Sequence, residues 1–317
     1  MPASRVEYVT VRWPPESLIT SGPSSFIRLL RWNPDLIYIH RTDNLAFMAA
    51  RLAQLRPTFL DAHSSTVMEL RAFGRNDQAR RSAWREGLGL WAAQGVIAAS
   101  RELMEFLAAE YGLNRSSCWT VPNGVPESTL ARPPGGIGWR RRLALADTEL
   151  LVLHSAPAGF EANDLSLNLV EHIAQATTSI FPRICIVVTG RFDAPAGTRA
   201  LGVVEDYLDL VDASDVAMVP FPPEAVCGGA RNKVLEFFAR GKAVISTREG
   251  MRGVENAKPS EHYIHAETPK EFYDALLLLR DDVDLRIRLG RAARAIAKDY
   301  LWSSAARRLL GIFRSVV

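Results

Sequence analysis

Apolar residues along this chain fall into short unbroken runs, separated by longer stretches in which they recur every three or four positions. The short runs are Leu36–His40, Thr58–Leu60, Gly95–Ala99, Cys118–Val121, Leu150–His154, Ile184–Thr189, Val216–Val219 and Ala243–Ser246. They are rich in Val and Ile or almost wholly apolar, and show little polar alternation, as strands covered on both faces should be. The longer stretches predict helices over Asn44–Leu55, Ala79–Ala93, Arg101–Tyr111, Leu165–Ala176, Asn232–Arg240, Lys270–Leu279 and Asp284–Tyr300. Strands alternating with helices at this rhythm mean βαβ units, a mainly parallel sheet and helices on both of its faces. Ligands of such sheets bind beyond the carboxyl ends of the strands, so the strand-to-helix loops are where chemistry is to be sought.

The pattern breaks at Asn123–Gly138, where Asn-Gly, Val-Pro, Pro-Pro-Gly-Gly and Ile-Gly follow one another and stop helices and ladders alike. This break divides the chain into an N-terminal unit (1–125), a C-terminal unit (126–300) and a last helix (301–317) expected to pack back toward the N-terminal unit. With 317 residues, two domains of about 100–200 residues are the natural expectation. Composition narrows the class: 48% hydrophobic and 23% charged residues exclude a disordered or fibrous chain. A net charge of +3 with scattered arginines gives no basic face for nucleic acid. No run of about 18 apolar residues occurs, and the N-terminus lacks a basic-then-apolar signal segment, so the expected location is cytoplasmic, at most peripheral at the inner membrane face. Cys118, Cys185 and Cys227 are odd in number and lack metal-ligand spacing, which predicts reduced thiols and no metal.

The most informative segment is Pro220–Gly253, PFPPEAVCGGARNKVLEFFARGKAVISTREGMRG. A strand ends in a proline-broken loop that closes on Gly228–Gly229, and a helix is expected from about Ala230. Its apolar face is Ala230, Val234, Phe237 and Phe238; Lys233, Glu236 and Arg240 are expected opposite. Gly241 is placed to end it. Two glycines at a helix start followed by Arg231 and Lys233 suit an anion, since backbone N–H groups approach closely there and the helix dipole favours negative charge. Glu236, two turns along, can accept hydrogen bonds from two hydroxyls. The plainer alternative is a turn followed by a Lys233–Glu236 surface pair of a few tenths of a kcal/mol.

This segment resembles the nucleotide-sugar region of retaining GT-B glycosyltransferases, the family-4-like group. TVPNGVP (Thr120–Pro126) is similar to the strand and turn between their domains, and LGVVEDYLDLVDASDVAMVPF (Leu201–Phe221) and the ending Asp281–Trp302 resemble further stretches of them. The resemblance implies an α/β protein of GT-B type, two Rossmann-like parallel-sheet domains facing a cleft. It would transfer a sugar from a nucleoside diphosphate to a saccharide, lipid-linked or natural-product acceptor with retention, without a cofactor or metal. Residue by residue, it implies ribose contact by Glu236, phosphate-facing backbone at Gly228, Gly229 and Ala230, and diphosphate partners in Arg231 and Lys233. It also implies base contact near Val203 and Val204, and a donor-loop role for Asn163. The family's first acid would fall at Gly228 and is missing here; Glu224, four residues earlier, is the substitute to consider. The family's Arg and Lys after the first strand of the nucleotide domain are also missing.

In the first half, PDLIYIHRTDNLAFMAARLAQLRPTFLDAHSS (Pro34–Ser65) resembles the acceptor-domain passage, and implies that His63, with Asp61, lies near the sugar. A structural histidine beside a capping Asp61 or Ser64 is the alternative. His40 and Arg41 are secondary acceptor-site candidates, Glu86 reads as an exposed or packing residue, and Ser100 reads as a helix cap. Before Pro34 only Val6–Val11 offers a strand and no Gly-Gly loop appears, so the N-terminal domain is expected to be reduced and to lean on a protein partner or a membrane surface. A catalytically degenerate scaffold of the same fold is the competing expectation.

Overall fold

The computed structural model describes residues 34–40, 56–178, 183–229 and 231–316. The predicted strand Val6–Val11, the predicted helix Asn44–Leu55, Arg41 and Ala230 lie outside the described residues. Within them, two sheets form, and every strand pairing in both is parallel. The first contains β1 (Ile37–His40), β2 (Thr58–Ala62), β3 (Gly95–Ala98) and β4 (Cys118–Thr120), in spatial order β1-β2-β3-β4. The second contains β5 (Leu150–Ser155), β6 (Ile184–Thr189), β7 (Arg199–Ala200), β8 (Val216–Val219), β9 (Ala243–Ser246) and β10 (Ile264–His265), in order β10-β9-β8-β5-β6-β7.

Both sheets are covered on both faces, which is why their strands read as continuous apolar runs. Along β5, Leu151 and Leu153 join Phe221, Phe237 and Phe238 on one side, while Leu150 and Val152 join Val170, Ile173 and Phe272 on the other. In the first sheet Leu60, Val96 and Ala98 face Leu103 and Leu107, while Phe59 and Ile97 face Ala305, Leu309, Ile312 and Phe313 of the final helix, Trp302–Val316. The Phe313 ring stands 5.0 Å from Phe59 and 5.6 Å from Tyr38, edge to face in each case. The last helix of the chain therefore completes the core of its first sheet.

Local chemistry explains where the sequence pattern underspecified the elements. The segment read as a break, 123–138, contains two short helices, Glu127–Ala131 and Ile137–Arg142. Pro126 opens the first. Gly136 opens the second at φ +93°, where a Cβ would meet the Ala213 nitrogen at 2.5 Å. Thr66–Ala72 and Tyr207–Ala213 are short helices with too few turns to show a period. The two-residue strands β7 and β10 carry no apolar run at all. Arg240 is not on the Lys233–Glu236 face as expected. It is buried, and gives hydrogen bonds to Asp212 (2.7 and 2.6 Å) and to the carbonyls of Thr129, Arg132 and Pro133, tying the linker to the second half.

Candidate functional site

The carboxyl ends of the two sheets face each other across a cleft of about 1100 Å³. On the second-half side, β5 ends at Ser155 and the chain turns through Pro157–Phe160 into a helix, Glu161–Thr178. The helix Asn232–Ala239 presents Lys233 and Glu236 to the cleft while burying Val234, Phe237 and Phe238 beneath it. It begins at Asn232 rather than near 230, with Arg231 as its capping residue.

Lys233 is the centre of this side. Its ammonium donates to the Ser155 carbonyl at 2.5 Å and to Asn163 Oδ1 at 3.1 Å. Asn163 Nδ2 donates in turn to the Pro157 carbonyl, so one lysine and one asparagine fix the turn after β5. An ammonium has three donors; two meet these acceptors, and the ammonium also lies 4.9 Å from the centroid of the Phe221 ring. Burial and the nearby Arg231 lower Lys233 from its ordinary 10.5 to about 7. Burial raises Glu236, one turn further along, above the usual carboxylate range, with Lys233 opposing. Tyr207 lines the same wall, and burial with the Glu236 charge pushes its phenol up.

Arg231 also lines the cleft, but much of its binding capacity is already used. Its guanidinium lies 3.5 Å from the centroid of the Phe221 ring and donates to the Ala225 carbonyl and to Glu249 Oε1. Its Nε has no partner among the described residues. Glu249, itself buried, also accepts from Arg252 and from the Cys227 backbone N–H. This acid went unnoticed in the sequence because its spacing matches no helix or strand period. Glu224 does not join the site: it is exposed on the Pro222–Pro223 turn and lies outside the cleft lining. Val203 and Val204 do line it, Val203 largely exposed.

Gly228 and Gly229 lie against the first half of the chain. They are not among the cleft-lining residues. A Cβ at 228 would stand 2.5 Å from Ser64 Cα and 2.9 Å from the His63 carbonyl, and one at 229 would stand 2.9 Å from Ala99 Cβ. The Gly228 carbonyl accepts from Ser100 Oγ at 2.6 Å, and Ser100 also caps its own helix by accepting from the Leu103 N–H. The glycine pair is one place where the two halves touch, with Gly228 against the main chain of Ser64 and His63.

On the first-half side, Thr66, Glu69, Leu70, Phe73, Arg75 and Asn123 line the cleft. Arg75 Nη2 meets Glu161 Oε2 at 2.8 Å, an exposed ion pair joining the halves. Behind this wall Asp61 gathers a polar cluster: Oδ2 accepts from Tyr38 Oη at 2.5 Å and lies 2.9 Å from His40 Nδ1 and 2.8 Å from His63 Nε2. Burial acts to raise Asp61, but the hydrogen bonds from His40 and His63 outweigh it and hold the carboxyl well below the usual range. His63 Nδ1 lies 2.8 Å from Oδ1 of the cleft residue Asn123. The helix cap nearby is Ser65, which accepts from the Met68 N–H, rather than Asp61 or Ser64. Glu86 is buried and accepts from the Val67 N–H, a packing role. The cysteines are free thiols, and no helix of the described residues is long and apolar enough to cross a membrane.

Comparison with known proteins follows this division. Residues 3–129 match the model of Glycosyltransferase Family 4, and residues 168–282 match that of Glycosyl transferases group 1. A D-inositol 3-phosphate glycosyltransferase of Kineococcus radiotolerans is 26% identical over 259 residues, covering 68% of this chain. The match spans only 55% of that relative's own length. Among solved structures, the sucrose-phosphate synthase of Thermosynechococcus elongatus superimposes with a TM-score of 0.74 at 17% identity, covering 96% of this chain and 80% of the other. Anabaena Alr3699/HepE in complex with UDP gives 0.72 at 16% identity, covering 94% and 84%. At such identities the structural likeness speaks for the fold.

Proposed function

The chain belongs to the family-4-like, group 1 glycosyltransferases of the GT-B fold, and we propose that it transfers a sugar from a nucleoside diphosphate to a hydroxyl acceptor with retention of anomeric configuration. The donor sits against the second half. One observation carries this reading: the Lys233 ammonium, braced by Ser155 and Asn163, lines the cleft, and Glu236 lines it one turn away on the same helix. The cation is placed to take a diphosphate oxygen, and the carboxylate to accept from two ribose hydroxyls. Arg231 and the first turn of the Asn232–Ala239 helix add positive potential as the leaving group gains charge, the service a metal would otherwise provide. Val203 and Val204 border the space for the base.

The acceptor lies against Thr66, Glu69, Phe73 and Asn123 on the first half. A saccharide, lipid-linked or natural-product hydroxyl is the class proposed, and the name of the Kineococcus relative makes a cyclitol phosphate the first acceptor to try. Retention rests on membership of this group, with same-face attack assisted by the leaving phosphate. The test is thermal shift with UDP, GDP and ADP, with UDP first because the Anabaena protein is described with it. A ligand present at 100 times its Kd stabilises a fold by about 2.7 kcal/mol. Stabilisation by one of the three, followed by release of that diphosphate from its sugar nucleotide, is the expected result. No response to any nucleoside diphosphate removes the donor assignment.

A further inference from the structure

The cluster around Asp61 also has the geometry of a cation site. His40 closes β1 and is the direct neighbour of Asp61 on β2 in the parallel register. His63 follows Asp61 by two residues, the spacing that keeps side chains on one side of an extended chain. The backbone thus brings two imidazoles and one carboxylate together: one ligand atom from each lies within 4.8 Å of the others. We propose that His40, Asp61 and His63 form a binding site for one transition-metal ion of the zinc class, with a fourth position open to solvent.

The hydrogen positions support this. His63 Nδ1 faces Asn123 Oδ1 at 2.8 Å and its Nε2 faces Asp61 Oδ2 at 2.8 Å, so acceptors flank both sides of the ring. A neutral imidazole has a single N–H. A metal ion that displaces the proton shared between Nε2 and Asp61 leaves the Nδ1–H on the Asn123 oxygen and turns the Nε2 lone pair to the ion. Metal-bound histidines are held in this way, the second ring nitrogen donating to an oxygen that sets the tautomer. Tyr38 supplies the matching partner for the carboxylate, donating to the same Asp61 oxygen.

Distances and exposure are compatible. The histidine nitrogens lie 2.9 and 2.8 Å from Asp61 Oδ2. Tetrahedral sites with bonds of about 2.0–2.1 Å hold their ligand atoms about 3.3 Å apart, so each pair must open by roughly half an ångström. The His40 side chain is 61% exposed, which gives it room to move and gives the ion a route from solvent. Two imidazoles with one carboxylate select zinc, cobalt or nickel over magnesium or calcium. The site is independent of the donor reading and is tested without any nucleotide.

The experiment uses the full chain without an affinity tag, stripped with chelator and titrated with Co²⁺. The expected result is one equivalent bound with the intense visible absorption of four-coordinate cobalt, displaced by Zn²⁺ and not by Mg²⁺. Asn123→Ala, which removes the oxygen that orients His63 and leaves all three ligands in place, weakens binding about 10- to 100-fold. His40→Ala, at the most exposed ligand, and Asp61→Asn weaken it further; circular dichroism confirms that each variant is folded. The pale spectrum of aqueous cobalt, or equal affinity in wild type and His40→Ala, overturns the proposal.

Discussion

The two halves of the molecule position their cleft-side groups by different means. In the second half, the cleft cation is held by backbone: Lys233 leans on the Ser155 carbonyl, and Asn163 on that of Pro157. In the first half, side chains hold one another, with Tyr38, His40 and His63 all converging on Asp61 and His63 reaching Asn123. A group anchored to main chain keeps its place when neighbouring side chains change. A group anchored in a side-chain network depends on every member. The Lys233 side should therefore fail one residue at a time, and the Asp61 side as a unit.

The largest expected effect tests whether the second half depends on its linker. Arg240→Ala strands Asp212 and three carbonyls in a buried setting and should cost about 3–5 kcal/mol. Urea unfolding measures it, and a loss near zero would mean that the linker is held elsewhere. Next is Lys233→Met, expected to weaken nucleoside diphosphate binding by about 1.5–3 kcal/mol, as for a lost hydrogen bond to a charged group, and to weaken free nucleoside much less. Equal losses for the two ligands would contradict the phosphate role.

The same residue sets a pH dependence. A diphosphate recruits the protonated ammonium, so affinity should fall as pH rises above about 7, and Lys233→Met should flatten that slope in calorimetric titrations. For folding, the sign is reversed. Between about 7 and 10.5 the unfolded chain holds a proton that the folded chain lacks, so the cost of burying this lysine fades as pH rises through that window.

Gly228→Ala probes the seam between the halves. Its Cβ meets main chain, so overpacking of about 1–3 kcal/mol is expected, with transfer reduced as the halves are pushed apart. Wild-type stability and activity in this variant would show that the seam gives way freely. The smallest effect belongs to Arg75→Ala, which removes an exposed ion pair worth about 0.2–1 kcal/mol. Its contribution should vanish in high salt, and a larger loss would make Arg75 part of the acceptor site.

Legibility in the sequence follows the same divide. The long strands and helices of the second half could be read from their apolar periods, and Ile184–Thr189, Val216–Val219 and Ala243–Ser246 form with the limits the pattern predicts. Lys233, Glu236, Asn163, Val203 and Val204 all line the cleft, in segments the sequence pattern delimits. What the sequence could not display is long-range pairing. Arg231 looked like a free cation because Glu249, 18 residues away, leaves no periodic trace. The glycine pair looked like an anion cradle because Ser64 and Ser100 belong to another domain. Glu224 looked available because prolines that turn it outward read only as loop.

The chain passes between its halves twice, and the two passages run side by side. Val125 donates to the Tyr300 carbonyl at 2.7 Å, Trp302 donates back to Val125 at 3.2 Å, and the Trp302 indole covers Gly124. Two parallel threads stitched together make one seam of the two crossings. The closing helix lies beyond that seam, fastened to the first sheet. Any separation of the halves would also have to break the Ser100–Gly228 hydrogen bond and the Arg75–Glu161 and Arg101–Glu255 pairs.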